Sequence, residues 1–164
     1  MRTHRVFDPL ACRLLVLVAF LVLSFPAVGH ALPDPAIGRW KLNLAKSKFA
    51  PGTVPTNQTV TIEAAGLGIR VTSTTLRANG KTIDVHYTAY LDGKDYPVTG
   101  SPDYDTVSLK RNGATVEGTR KQAGKVVQNY QRVISEDRKT MIVATTGKDA
   151  SGQTLNSVAV FDRR

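Results

Sequence analysis

Short segments that alternate apolar and polar residues, divided by turn sequences, run through most of this chain. Val60 and Ile62 share one face of such a segment, and Ile83 and Val85 share one face of another. A period of two residues is typical of a β-strand with one buried face, and the abundant threonine and valine favour strand over helix. Residues 42–49 are the least clear segment, where a short helical turn also fits the pattern.

The turn sequences predict how these strands are connected. Asn79 with Gly80, and Asn112 with Gly113, are strong hairpin signals because both residue types tolerate positive φ. The pattern predicts an all-β fold of about eight to ten antiparallel strands joined mostly by tight hairpins. Closing such a meander into an up-and-down β-barrel removes its two exposed edges. A two-sheet sandwich, with a crossover in residues 94–105, is the competing architecture.

The first 31 residues have the layout of a secretory signal peptide. Arg2, Arg5 and Arg13 precede a 12-residue run at positions 14–25 that is apolar except for one serine. Small residues occupy the positions expected before a signal peptidase cut after Ala31. The run is shorter than the roughly 20 residues of a membrane-spanning helix, and an uncleaved anchor is the alternative. We therefore expect a signal-peptide helix, export, and a periplasmic or secreted location.

Removal of residues 1–31 leaves 133 residues, the length of one domain. Two prolines in residues 32–37 predict a short extended lead-in, and residues 38–164 then form a single barrel domain. Cys12 is the only cysteine, so disulfides, thiolate catalysis and cysteine metal sites are excluded from the processed chain. A domain without disulfides fits a bacterial envelope better than a eukaryotic extracellular space.

The processed chain is basic, with 19 lysine and arginine residues against 12 aspartate and glutamate residues. Residues 105–164 carry 11 of the basic and 6 of the acidic groups. Such an excess attracts anions, so an anionic envelope surface is one predicted partner. Export makes nucleic acid an unlikely partner, and a solvated basic surface that only aids solubility is the alternative.

Gly38 and Trp40 open the predicted domain with a glycine-x-tryptophan pattern. The pattern resembles the first strand of lipocalins and fatty-acid-binding proteins, in which the tryptophan plugs the closed end of a β-barrel. The resemblance implies that Gly38 and Trp40 close the barrel here. It also implies that an arginine from a late strand packs across the indole face, as a cation–π contact. Arg132, Arg163 and Arg164 are the candidates for that contact.

Residues 40–49 and 92–100 resemble a family of exported bacterial lipocalin-like proteins, and the resemblance extends over nearly all of residues 36–162. It implies a calycin-like barrel and does not imply an activity. The last strand departs from the fatty-acid binders, which carry an arginine and a tyrosine there that hold a carboxylate. Phe161 replaces the tyrosine and the inward arginine is missing, which argues against a fatty-acid clamp on this strand.

Four polar side chains on predicted strands are candidate ligand contacts. Arg70, Arg120, Tyr130 and Arg132 would orient an anionic ligand if they point into the barrel. Tyr130 and Arg132 share one face of their strand. Periodicity shows which residues share a face but not which face is buried, so an exposed basic surface is the alternative for these residues.

His86 and Tyr90 complete the predicted set of ligand contacts. His86 also shares a strand face with Asp84, so an Asp–His pair, and with it a hydrolase or isomerase, is a third hypothesis. The sequence has no Gly-x-Ser-x-Gly elbow, and one strand histidine does not hold a metal by itself. We interpret the chain as a non-enzyme with no catalytic residue, cofactor or metal site, and His86 as solvent-facing or hydrogen-bonded.

Asp92, Asp95, Asp103 and Asp105 crowd one region of the sequence. Calcium prefers oxygen ligands, but the spacing lacks the regular alternation of a calcium loop, so we expect turn-forming aspartates. The loop that they border is also a candidate lid over the barrel mouth.

Two functions remain in view. The first is the binding of a small apolar or amphiphilic ligand inside the barrel, with one or two polar groups at the mouth to orient it. The second is a non-enzymatic envelope interaction module, in which side chains fill the barrel and the basic surface meets anionic polymers. A cavity of about 300 Å³ or more would favour the first.

Overall fold

The computed structural model describes residues 34–50 and 54–164, and the predicted signal peptide at residues 1–31 lies outside them. Within these ranges, ten antiparallel strands close into one barrel. Each strand pairs with its neighbours in sequence, and β1 pairs with β10 to complete the ring. The strands are β1 (Gly38–Leu42), β2 (Pro55–Ala65), β3 (Gly68–Arg77), β4 (Thr82–Ala89), β5 (Asp92–Thr99), β6 (Thr106–Asn112), β7 (Thr115–Gln122), β8 (Lys125–Ile134), β9 (Thr140–Lys148) and β10 (Thr154–Arg163).

The predicted all-β, up-and-down barrel is confirmed, at the upper limit of the expected strand count. Residues 94–105 contain no crossover, because β5 and β6 pair as neighbours around a loop at 100–105. A 3-10 turn at Leu44–Lys46 occupies the segment where a helical turn was expected, and the side chain of Asn43 caps it. None of the helical structure in the described ranges is long and apolar enough to span a bilayer.

The connections alternate between two ends of the barrel, which differ in how they are covered. At the closed end, Trp40 is fully buried beneath the segment that precedes β1. The turns at the closed end are residues 66–67, 90–91, 113–114 and 135–139. The connections at the open end are residues 43–50, 78–81, 100–105, 123–124 and 149–153.

Residues 34–37 form a turn rather than the extended lead-in that the two prolines predicted. The backbone N–H of Ile37 donates to the carbonyl of Asp34 at 3.0 Å, and the N–H of Ala36 donates to the Asp34 carboxylate at 2.9 Å. An aspartate that accepts a hydrogen bond from the backbone two residues on stabilises a turn locally. The turn presents the carbonyl of Ala36 to the indole Nε1 of Trp40, 2.8 Å away.

Of the three arginines considered for the indole contact, Arg163 makes it. Its guanidinium carbon lies 4.2 Å from the centroid of the Trp40 ring. Arg132 instead belongs to the wall of the interior cavity, and Arg164 is exposed.

Gly38 makes room for this arginine. Its φ of +144° is rare for a residue with a side chain, and a Cβ atom there would collide with Nη1 of Arg163. That nitrogen donates to the carbonyl of Ile37 at 2.7 Å, and Nη2 donates to the carbonyl of Pro35 at 2.6 Å. Gly38 and Trp40 therefore allow Arg163, the indole ring and the turn at residues 34–37 to pack together at the closed end of the barrel.

Candidate functional site

The barrel encloses a cavity of about 520 Å³. It extends to the loops at the open end, where Phe49, Ala78, Pro102 and Gln153 line it. Below them the cavity reaches inward between strands whose alternate residues point into the barrel. Part of the interior is filled, because Val98, Val107 and Leu109 on β5 and β6 are buried among the core side chains.

One wall of the cavity is mainly apolar. It is formed by inward-facing residues of β2 and β3 on one side of β1 in the ring and of β10 on its other side. These residues alternate with exposed polar ones, as Val71 does with Arg70. Such a wall favours the apolar part of a ligand because burial removes apolar surface from water. Its apolar members are Val60, Ile62, Val71, Leu155, Ala159 and Phe161, and Gln58, Ser73, Thr75 and Ser157 on the same strands also line the cavity.

The other wall is polar and is centred on β8. Gln128, Tyr130 and Arg132 alternate along this strand and all point inward, with exposed fractions of 2%, 6% and 4%. Asn129 and Gln131 between them face outward. Polar residues therefore occupy both faces of β8, and the face that it turns to the cavity is polar where that of the opposite wall is mainly apolar. The cavity is therefore amphipathic.

Arg120 on β7 lies between two tyrosine rings of this polar wall. Its guanidinium carbon is 4.8 Å from the ring centroid of Tyr104 and 4.5 Å from that of Tyr130. Nη1 donates to the side-chain oxygen of Gln128 at 2.8 Å. The Gln128 amide nitrogen in turn donates to the carbonyl of Lys148 at 3.1 Å. This chain of contacts holds Arg120 in one orientation.

Two half-buried groups that line the cavity have shifted pKa values. Burial alone would lower the pKa of Arg120, but Tyr104 and Tyr130 outweigh it, and the pKa lies above its usual value. Burial raises the pKa of Tyr87 on β4 well above its usual value. At neutral pH, Arg120 is therefore a cation, and Tyr87 is a neutral phenol able to donate a hydrogen bond.

Arg132 lies deeper than Arg120, toward the closed end. Its Nη2 atom is buried and has no hydrogen-bond partner among the described residues. The Oδ2 atom of Asp34 lies 4.0 Å away, and the same oxygen accepts a hydrogen bond from Nη2 of Arg111 at 2.6 Å. One carboxylate therefore serves two arginines, and this group of three side chains keeps a net positive charge.

The six predicted ligand contacts divide evenly between the two faces of the barrel. Arg120, Tyr130 and Arg132 line the cavity together. Arg70 and His86 are exposed on the outer face, and Tyr90 is 46% exposed just after β4, so these three do not line the cavity.

The physical reason is visible in the neighbouring residues. Val71, next to Arg70, and Tyr87, next to His86, point inward and turn the alternate residues outward.

The Asp84–His86 pair of the third hypothesis does not form. Asp84 accepts a hydrogen bond from the hydroxyl of Thr74 at 2.6 Å. Nδ1 of His86 lies 3.3 Å from the hydroxyl oxygen of Thr72. Both contacts join β3 to β4 on the outer surface, away from the cavity.

Four residues at or beside the site were not predicted from the sequence, namely Asp34, Tyr87, Tyr104 and Gln128. Tyr87 and Gln128 alternate in step with inward residues of their strands, so strand periodicity contained a signal for both. Tyr104 lies in a loop and Asp34 in the turn before β1, where periodicity carries no information.

The four clustered aspartates form separate contacts. Asp92 accepts from the Tyr96 hydroxyl, Asp95 pairs with Lys121, and Asp105 accepts from the backbone N–H of Ala123. Asp103 contacts Arg77 and the backbone N–H of Ala150 at the mouth. In the described part of the chain, no three histidine, cysteine, aspartate or glutamate side chains are arranged to hold a metal ion.

The sequence matches no protein-family model and no curated protein. Its fold has counterparts among solved structures. One is the crystal structure of zebrafish ileal bile acid-binding protein complexed with cholic acid, at 13% sequence identity and a TM-score of 0.52. The match covers 79% of this chain and 99% of that chain. At this identity the similarity shows a shared fold alone, the closed antiparallel barrel of the fatty-acid-binding and lipocalin type.

Proposed function

We propose that the protein binds a small amphiphilic molecule in its barrel cavity and holds it without chemical change. The observation that carries this proposal is the cavity of about 520 Å³ with one apolar and one polar wall. Ligand cavities in proteins are typically about 300–1,000 Å³, mostly apolar, with a few polar groups that fix orientation. The similar barrel of the zebrafish protein was solved with cholic acid, itself a small amphiphile, which supports the proposal.

The same observation favours ligand binding over an interaction module with a filled barrel. Side chains fill the interior only in part, beside β5 and β6. One or two polar groups were expected at the mouth to orient a ligand. Arg120 on β7 and Arg132 on β8 instead line the cavity along the barrel wall. A ligand that buried about 200 Å² of apolar surface would gain roughly 5 kcal/mol before the cost of immobilisation.

We propose that this binding takes place in a bacterial envelope or outside the cell. The support is the sequence of residues 1–31, with its basic start, apolar run and small residues before the expected cleavage bond. Cell fractionation and the intact mass of the purified protein test this directly. A protein that retains residues 1–31 in the cytoplasm would overturn the proposed location.

A cavity-filling variant tests binding. Ala159 lines the cavity, whereas Val158, next to it on β10, is 38% exposed on the outer face. We expect Ala159→Phe to abolish the fluorescence gain of the neutral dye N-phenyl-1-naphthylamine, and Val158→Phe to leave it unchanged. Thermal unfolding of both variants checks that they are folded. If the two variants bind the dye equally, or the unaltered protein binds none, the proposed function is wrong.

Native mass spectrometry of protein purified from its own cells gives a second, independent measurement. We expect a small molecule to co-purify with the unaltered protein and to be lost in Ala159→Phe. A uniformly bare protein, combined with no dye binding, would contradict the proposal.

A further inference from the structure

We propose that the protein forms a reversible two-fold dimer through the outer surface of β8, β9 and β10, so that the partner of this surface is a second copy of the chain. The outward-facing residues of the three strands make up what we name the uncharged face: Asn129, Gln131, Val133, Thr140, Ile142, Ala144, Thr146, Asn156, Val158 and Val160. The dimer concerns the outside of the barrel and does not depend on the cavity or its ligand.

Two strands of the uncharged face are apolar on both of their sides. Residues 141–144 of β9 and 158–161 of β10 are unbroken apolar runs, and they pair with each other along their whole length. Runs of this kind are typical of strands that are buried on both faces, whereas the barrel interior covers only one. Ile142 and Val158 accordingly remain 41% and 38% exposed, and Val133, which pairs with Ile142, is 37% exposed. A partner on the outside would complete the burial that the sequence indicates.

The centre of this surface carries no charged side chain, unlike the rest of the barrel wall. Apart from Arg132, which lines the cavity, the charged residues of β8, β9 and β10 lie at the strand ends, at Lys125, Lys148, Asp162 and Arg163. Each of the other seven strands has at least one exposed charged residue, among them Arg39, Glu63, Arg70, Asp84, Asp95, Lys110 and Glu117. Depletion of charged residues is typical of the core of a protein–protein interface. Because the chain has a formal net charge of +9, two copies meet at this face with the least repulsion.

Charges of opposite sign border the uncharged face on its two sides. Register pairs connect one row of residues across the wall, from β7 to the segment after β1: Glu117, Gln131, Ala144, Val158 and Lys48. Ala144 is the midpoint of this row. A two-fold dimer brings the same patch of both copies together. An axis parallel to the strands and next to Ala144 then brings the basic border of one copy to the acidic border of the other, which favours a second copy over an unrelated partner.

The size of the uncharged face predicts a weak dimer. Three strands about 4.8 Å apart, with about eight residues of 3.3 Å each, cover roughly 14 Å by 26 Å. With the bordering residues, two copies would bury on the order of 1,000 Å² in total, near the lower limit for a specific interface. The barrel wall curves away at the charged borders, so these attract each other through solvent rather than as ion pairs. We therefore expect a dissociation constant of about 10–100 μM.

Sedimentation velocity over a concentration series tests the dimer. We expect the purified protein to be largely monomeric at about 1 μM and largely dimeric at about 300 μM. Ile142→Lys places a cation from each copy at the centre of the interface and should weaken association at least about tenfold. Thr88→Lys is the matched control, because it adds the same charge at an exposed position of β4, five strands from β9 in the ring. The control should change the dissociation constant less than about twofold.

The outcomes that would overturn the dimer are distinct. An unaltered protein that stays monomeric at about 300 μM has no such dimer, and the uncharged face then belongs to a different partner. If Ile142→Lys and Thr88→Lys weaken association equally, or neither weakens it, the copies meet through another surface. Circular dichroism and thermal unfolding check that the variants are folded. Gln131→Lys, at an exposed polar position of the same face, replaces Ile142→Lys if that variant does not fold, and should weaken association about threefold or more.

Charge reversal at the borders tests the two-fold arrangement itself. Glu117→Lys and Lys48→Glu each bring like charges together across the axis, and each should weaken association about two- to threefold at low ionic strength. The double variant restores opposite charges and should return the dissociation constant to that of the unaltered protein. If the single reversals have no effect, or if the double variant associates no better than the single ones, the two-fold arrangement is wrong.

Discussion

Arg163 covers the indole of Trp40, with its guanidinium carbon 4.2 Å from the ring centroid. The contact joins the last strand to the first, since β10 and β1 pair through these same two residues. The same guanidinium donates to the carbonyls of Ile37 and Pro35, in the turn at residues 34–37 that covers the closed end. One side chain therefore holds together the ring closure and the cover of the closed end.

Arg163→Gln should lower the free energy of unfolding by about 2–4 kcal/mol, because a cation–π contact with a buried indole and three charge-assisted hydrogen bonds, to the carbonyls of Pro35, Ile37 and Arg138, are lost. Urea denaturation followed by the fluorescence of Trp40, the only tryptophan, measures this. Arg164→Gln is the control, because it removes the same charge from the next residue in the chain, whose side chain is exposed. Similar losses in the two variants would contradict the role given to Arg163.

Gly118→Ala should disturb the polar wall without straining the backbone. Gly118 has no positive φ, but a Cβ atom there would collide with the ring of Tyr130, its partner across β7 and β8. The ring must then move, which disturbs its contact with Arg120. We expect a loss of about 1–3 kcal/mol in unfolding free energy, measured by urea denaturation, and weaker dye binding. Glu117→Ala, on the outer face of the same strand, should change dye binding little.

The barrel was predictable because its strands and turns carry local signals. Alternation along β2 and β4, and asparagine-glycine pairs such as Asn112 with Gly113, each act within a few residues. The glycine-x-tryptophan pattern at Gly38 and Trp40 likewise predicted the closed end, although it left three arginines open for the indole contact.

The inner face of the polar wall was less predictable. On β8, Tyr130 and Arg132 face inward while Asn129 and Gln131 face outward, and both sets are polar. Burial here depends on pairing with β7 and β9, which periodicity within one strand does not report. For Arg70, the alternation itself indicated an outward-facing side chain, since an apolar residue flanks it on each side. Asp34 lies in the turn before β1, outside the strands, where periodicity carries no information.

The stability of the fold should depend on Tyr87 at alkaline pH. Burial raises the pKa of Tyr87 well above its usual value, so the folded state keeps the phenol neutral. The unfolded phenol ionises near pH 10, and unfolding is then accompanied by loss of a proton. The stabilising contribution is therefore complete below about pH 10 and is lost as the pH rises toward the folded-state pKa.

Urea denaturation between about pH 8 and pH 11 measures this contribution. The unaltered protein should lose more unfolding free energy over this interval than Tyr87→Phe, which has no phenol to ionise at that position. Parallel pH profiles for the two proteins would show that Tyr87 does not contribute in this way.

Asp103 joins three connections at the mouth of the cavity. Its carboxylate lies 3.5 Å from Nη2 of Arg77, at the end of β3, and accepts from the backbone N–H of Ala150 at 3.0 Å. The next residue, Tyr104, packs on Arg120 inside the cavity. Loosening these contacts should free the 100–105 loop and make ligand exchange faster, as expected for a lid.

We therefore expect Asp103→Ala to raise both the association and dissociation rates of N-phenyl-1-naphthylamine about two- to fivefold, measured by stopped-flow fluorescence. Its unfolding free energy should fall by less than about 1 kcal/mol, because the ion pair is partly exposed. Asp95→Ala is the matched control, since it removes an ion pair with Lys121 from residues that do not line the cavity. If the two variants exchange the dye at the same rates, or if Asp103→Ala changes only the equilibrium affinity, the 100–105 loop does not control entry.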